Sequence, residues 1–146
     1  MTGPPRGEPL RRRIEAGALR KFARATGQTD PLFTGGEADD AEGITASPTY
    51  VGTFCNDALV GVFLPRPEHD MILHTADEVD LFAPIRVGDT IAAVAELELV
   101  EEHVGRHGPT TFQRARITLT NQRGEPVATI GVEMRSFSTG QADDRG

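Results

Sequence analysis

Apolar positions recur at helical spacing through the first half of this chain and switch to alternation in the second. Leu19, Phe22, Ala23 and Thr26 share one helical face, with Arg20, Lys21 and Arg24 off it, which predicts a helix over Glu15 to Thr26. Gly27 supplies its stop. Val51, Phe54, Cys55, Ala58, Leu59, Val62 and Phe63 repeat the pattern without a gap and predict a second, longer helix over Ser47 to Phe63. Ser47 suits its N-cap and Pro48 its first position, where a missing N–H costs nothing. Pro65 and Pro67 end it. Gly52, Thr53 and Gly61 lower its intrinsic propensity, so burial has to stabilise it. Between the helices, Gln28 to Ala46 reads as loop, with Gly35-Gly36 and the acidic group Asp39, Asp40 and Glu42.

Strand signals flank these helices. Leu10 to Ile14 fits a short strand, and Met71 to Phe82 a longer one, followed by a turn over Pro84 to Asp89. Over Ile91 to Val100 the alternation is clean: Ile91, Ala93, Ala95, Leu97 and Leu99 point one way, Glu96 and Glu98 the other. After a turn at Gly105 to Pro109 come Phe112 to Thr120 and Val127 to Phe137, joined by the hairpin residues Asn121-Gln122-Arg123-Gly124. No internal repeat interrupts this order. The pattern predicts an α+β domain, an antiparallel sheet wrapped around a long central helix. Such a sheet has edges to protect, and dimerisation through an edge strand would do so.

Composition narrows the class. The 146 residues fit one domain, expected over residues 10–137, with mobile segments at 1–9 and 138–146. Hydrophobic content of 38% and charged content of 25% suit a globular protein. A net charge of -7 argues against a nucleic-acid or anionic-membrane surface. An acidic carrier protein would need a local basic patch, for which Arg11, Arg12 and Arg13, or Arg114 and Arg116, are candidates; solvated strand faces are the plainer reading. Cys55 is the single cysteine, so no disulfide forms within the chain, which fits a reducing cytoplasm. No apolar run approaches the roughly 20 residues that span a bilayer, and the N-terminus lacks the apolar core of a signal peptide. His69, His74, His103 and His107 show no metal-ligand spacing, and His69, His103 and His107 fall in segments expected at the surface. No metal or other cofactor is expected.

The segment Gly27-Gln28-Thr29-Asp30-Pro31-Leu32-Phe33 resembles the signature of MaoC-like hydratases and dehydratases, hot-dog-fold proteins that act on acyl thioesters. Further stretches match in order: Ile14 to Phe33, Ile44 to Tyr50 leading into the central helix, the turn Phe82 to Ile91, and the hairpin Thr118 to Ala128. The nearest likeness is to the N-terminal, non-catalytic half of two-part acyl dehydratases. In active members the signature reads Gly-Asp-x-Asn-Pro-Leu-His, and its Asp and His carry the acid/base chemistry. Here Gln28 stands at the Asp position, Asp30 at the Asn and Phe33 at the His. Active members also begin the central helix with His-Gly, whose glycine N–H helps hold the thioester oxygen; the corresponding pair here is Ser47-Pro48.

The resemblance implies a single hot-dog domain that shapes an acyl pocket while a partner supplies the missing pair. Dehydration of a 3-hydroxyacyl thioester needs a base at the α carbon and an acid at the leaving hydroxyl. Negative charge on the thioester oxygen also needs a donor. Phe33 transfers no proton, Gln28 does not titrate, and Pro48 has no N–H. The N–H groups of Thr49 and Tyr50 are the remaining donors at the helix start. Expected substrate-binding residues are therefore Gln28, Phe33, Thr49 and Tyr50. Replacement acid/base groups, if the chain is catalytic by itself, would be Asp57 on the central helix, His74 in its strand, or Asp30 in the signature segment. Each has a plain alternative: Asp57 as a solvated or capping carboxylate, His74 as a structural histidine, Asp30 as a turn residue before Pro31. Cys55 has no adjacent histidine to mark a nucleophile and reads as core.

Three functions compete. The first is a subunit of an acyl-thioester dehydratase or hydratase, binding acyl-CoA or an acyl-carrier-protein thioester as a homodimer or beside a catalytic hot-dog subunit. The second is a stand-alone thioesterase, or an enzyme adding to an enoyl thioester, with relocated chemistry. The third is a non-enzymatic acyl-binding module.

Overall fold

The computed structural model describes residues 5–35 and 43–140; the acidic group at 39–42 and the tail at 141–146 lie outside them. The described residues form five strands: Leu10–Arg13 (β1), Met71–Leu81 (β2), Thr90–Gly105 (β3), Gly108–Thr120 (β4) and Pro126–Phe137 (β5). They form one sheet in the order β1-β3-β4-β5-β2, with every neighbouring pair antiparallel. Gly105 and Gly108 close the β3–β4 turn, where Gly108 takes φ 89°, a value glycine adopts without strain.

Three helices join the sheet: Ala16–Ala25 (α1), Pro31–Thr34 (α2) and Cys55–Ala58 (α3), the last preceded by a 3-10 helix over Pro48–Phe54. The single long helix expected over Ser47 to Phe63 is thus a tighter 3-10 run that relaxes into one α-turn and stops at Ala58. Gly52, Thr53 and the β-branched Val51 give it little intrinsic support, and Gly61, at φ 74°, turns the chain out of the helix. The burial pattern survives the change of geometry. Tyr50, Val51, Phe54, Cys55, Ala58 and Val62 all sit in the core, Phe54 with no exposed surface.

The sheet floor beneath them is built of Ile91, Ala93, Ala95 and Leu97 from β3, Ala115, Ile117 and Leu119 from β4, and Ile130 and Val132 from β5. The small alanines leave room for the large Phe54. Alternation in β3 breaks at Glu98, where a bulge shifts the register between Leu97 and Leu99. Beyond it Val100 turns toward the core, and Leu99, expected inward, faces out at 37% exposure. The inward-facing positions of β4 then become polar: Gln113 clamps Leu64, its Nε2 donating to the Leu64 carbonyl (2.9 Å) while its Oε1 accepts from the Leu64 N–H (2.7 Å).

The N-terminal segment expected to be mobile is held from Pro5 onward. Its residues run beside β3, with Gly7 N–H donating to Ala95 O, Leu97 N–H to Pro5 O, and Arg6 paired with Glu96 at 3.2 Å. A Cβ on Gly7 would stand 2.6 Å from the Ala58 carbonyl, so only glycine fits there. Residues 1–4 lie outside the described ones. At the other end, Thr139 donates to the Asp70 carboxylate through its N–H and its hydroxyl, both at 2.7 Å.

β2 is an edge strand that none of the described residues covers. Every one of its 11 residues is exposed. Pairing with β5 places Ile72, His74, Asp77, Val79 and Leu81 on the same side of the sheet as the core positions Ile130 and Val132. The short central helix does not reach over them, and Ile72 stays 64% exposed.

Candidate functional site

The signature segment is shaped by three consecutive capping devices. Gly27, at φ 73°, ends α1 while its N–H donates to Arg24 O and that of Gln28 to Ala23 O, the paired bonds of a Schellman stop. Asp30 then caps α2: its Oδ1 accepts from Leu32 N–H at 2.9 Å, with Pro31 at the first helical position. Gly35 closes α2 at φ 76°, and a Cβ on it would meet Ile44 Cδ1 at 2.7 Å. Leu32 O accepts from Thr45 N–H, and Ile85 O from Ala46 N–H, tying α2 and the 84–89 turn to the stretch entering the 3-10 helix. Asp89 fixes that turn. It is nearly buried, and its carboxylate accepts from Arg86 N–H (2.9 Å) and Gln122 Nε2 (3.0 Å).

These connections shape a cavity of about 320 Å³, open to solvent on one side, at the start of the 3-10 helix, lined by Phe33, Ser47, Pro48, Val51, Leu81 and Phe82, with Thr45, Ala46 and residues 83–85 completing it. No lining side chain titrates. Thr45 and Ser47 carry its side-chain polar atoms. Ser47 is 7% exposed, and its Oγ has neither solvent contact nor a hydrogen-bond partner among the described residues. The expected side-chain cap is not made; the Ser47 carbonyl instead accepts from Tyr50 N–H at 2.9 Å. That bond closes the first 3-10 turn and engages the Tyr50 N–H that the sequence left free for a ligand.

The other expected site residues are spread out. Phe33 lines the cavity. Gln28 does not: its Oε1 folds back to accept from the N–H groups of Thr29 (3.1 Å) and Asp30 (3.2 Å). Tyr50 is buried edge-on between Phe22 and Phe54, at ring distances of 5.3 and 6.0 Å. Thr49 is exposed. Asp57 is exposed and lies 3.5 Å from Arg12, whose guanidinium covers the Phe54 ring at 4.1 Å and donates to Thr53 Oγ1. Arg12 is therefore packing as much as charge. His74 and Asp77 form a hydrogen bond of 2.5 Å on the uncovered side of β2. Cys55 is buried, and that burial, with the Asp77 charge as a smaller cause, pushes its thiol pKa up.

Some side chains settle differently from expectation. His69 is not a surface residue; its ring is 6% exposed and Nδ1 lies 2.8 Å from Ser136 Oγ. Arg114 joins Glu78, Glu98 and Glu133, and Arg116 joins Glu98, so both serve an ion-pair network across the outer face of the sheet. No group of three or more His, Cys, Asp or Glu among the described residues is placed to hold a metal. Sequence reasoning missed Leu81, Phe82 and the 83–85 wall. Their turn was legible as a match, but only folding brings it against the helix start.

A curled antiparallel sheet holding one central helix, with an apolar cavity at that helix's start, defines a hot-dog-fold protein of MaoC-like type. Residues 1–130 match the model of the FAS1-like, dehydratase domain region, and the chain belongs to that family. Among curated proteins it is similar to UPF0336 protein SCO4636 of Streptomyces coelicolor, with 27% identity over 94 residues, 60% of this chain and 62% of that protein's length. Among solved structures, a MaoC-like dehydratase from Rhodospirillum rubrum aligns at TM-score 0.68 and 21% identity, covering 94% of both chains. The HadBC (3R-hydroxyacyl-ACP dehydratase) complex from Mycobacterium tuberculosis aligns at 0.66 and 20%, covering 88% of this chain and 95% of that one.

Proposed function

We propose that this chain is the pocket-shaping subunit of an acyl-thioester dehydratase or hydratase. The cavity takes the acyl part of a coenzyme A or carrier-protein thioester, with Phe33 as one wall. A hot-dog companion docked along β2 supplies the Asp and His that move protons. One observation carries this reading: an open-mouthed apolar cleft at the place where the family does its chemistry, with no titratable side chain lining it. Proton abstraction beside a thioester needs a base within hydrogen-bond reach, and neither Gln28 nor Phe33 provides one. The uncovered face of β2 supports the companion, as does the likeness to a subunit from a complex of such proteins. A cytoplasmic setting in fatty-acid or polyketide metabolism fits this chemistry.

Hydration of crotonyl-CoA is the test. The purified chain alone should turn over at background, and mixing with a hot-dog subunit that has an intact Asp and His should give activity above that of the subunit by itself. Robust turnover by this chain alone removes the proposal.

The hydrogen bond between His74 and Asp77 favours a second reading, in which the chain has relocated its acid/base chemistry to the inner side of β2. His74→Gln and Asp77→Asn would then abolish activity of the isolated chain. Unchanged rates dismiss this reading.

A further inference from the structure

The start of the central helical segment has lost a donor and retained an idle one. Pro48 offers no N–H, and the N–H of Tyr50 is committed to the Ser47 carbonyl. The Ser47 hydroxyl is buried and unpartnered in a residue that borders the apolar cavity. A buried hydroxyl without a partner costs the fold stability, a cost that an acceptor brought into the cavity would remove. Nothing at the helix start competes for it, because the side chain makes no cap. The Oγ has no accessible surface as it stands, so the movement that would present its O–H to the cavity is a χ1 rotation between staggered wells.

We propose that the Ser47 hydroxyl donates a hydrogen bond to the carbonyl oxygen of the thioester bound in this cavity, taking the place of the backbone N–H that Pro48 lacks. This rests on the acyl-thioester reading above. The donor holds the carbonyl and polarises it, while the proton transfers belong to the companion's acid and base. A single fixed donor also sets which way the acyl chain runs, along the Phe33 and Phe82 walls.

The probe is crotonyl-CoA carrying ¹³C at the thioester carbonyl, added to the chain with and without its companion. Affinity is read by calorimetry and the carbonyl band by isotope-edited infrared spectroscopy. The wild type should bind and move the band to lower frequency. Ser47→Ala should bind about 3- to 10-fold more weakly, the loss of one net hydrogen bond, and should show no band shift. Ser47→Thr, which keeps the hydroxyl, should retain both. Melting of Ser47→Ala should occur no lower than wild type, because the hydroxyl removed bonds to nothing in the free protein. An unchanged band in Ser47→Ala overturns the donor role and leaves the functional proposal standing. Failure of the wild type to bind, alone and with the companion, overturns both.

Discussion

Asp89 shows how much one carboxylate can organise. It joins the 84–89 turn to Gln122 of the hairpin, and its backbone carbonyl accepts from Ile14 N–H. The cavity wall depends on that turn. Asp89→Ala should cost about 1.5–3 kcal/mol, the range for hydrogen bonds to charged groups, measured as a lower midpoint in urea. Phe54→Ala, at the centre of the core, should cost about 3–5 kcal/mol. Asp70 makes the fold acid-sensitive at its C-terminal end. Two bonds from Thr139 hold its carboxyl below the usual range. A depressed native pKa adds stability above the ordinary carboxylate value and forfeits it as pH falls through the native one. Wild type should therefore melt above Asp70→Asn at neutral pH, and the two curves should converge under acid; a constant gap across pH rules this linkage out.

At the level of elements, the capping sequence around Gln28 to Gly35 was only partly legible. Gly27 as a helix stop and Asp30 as a turn residue were readable, and both act as local chemistry dictates. The short α2 between them was not, because four residues carry no periodic signal. The central helix was legible as a buried stripe but not as a 3-10 run, since the register of apolar residues fixes the buried face rather than the exact winding. Gly61→Ala should destabilise this exit, because alanine is strained at φ 74°. Strand order and the Glu98 bulge were invisible to alternation, which treats each strand alone; the bulge shows only when β4 is set beside β3. The site fared less well than the fold. Phe33 meets the cavity and Gln28 does not, because a long amide can satisfy itself on the nearest N–H groups. The Ser47 hydroxyl reads in sequence as a cap, and only the fold leaves it unused.

For the whole molecule, the decisive asymmetry is that β3 is flanked along its outer edge by β1 and by residues 5–7, while β2 is exposed along its length. Val79 and Leu81, 44% and 48% exposed, lie where a partner's strand or helix would bury them. Sedimentation of the wild type should show an oligomer at micromolar concentration. Val79→Lys with Ile72→Lys, both away from the cavity lining, should give a monomer that keeps its circular dichroism spectrum and loses any activity conferred by the companion. An oligomer that survives both substitutions places the interface elsewhere. The described residues contain no helix long and apolar enough to cross a membrane.

The bare β2 strand also decides how a cell must handle this polypeptide. The free edge of β2, with Ile72, Val79 and Leu81 exposed beside it, makes a newly made, solitary copy adhesive toward other extended chains. Its half-life should then follow the stoichiometry of synthesis, with surplus copies cleared by quality control and matched copies persisting.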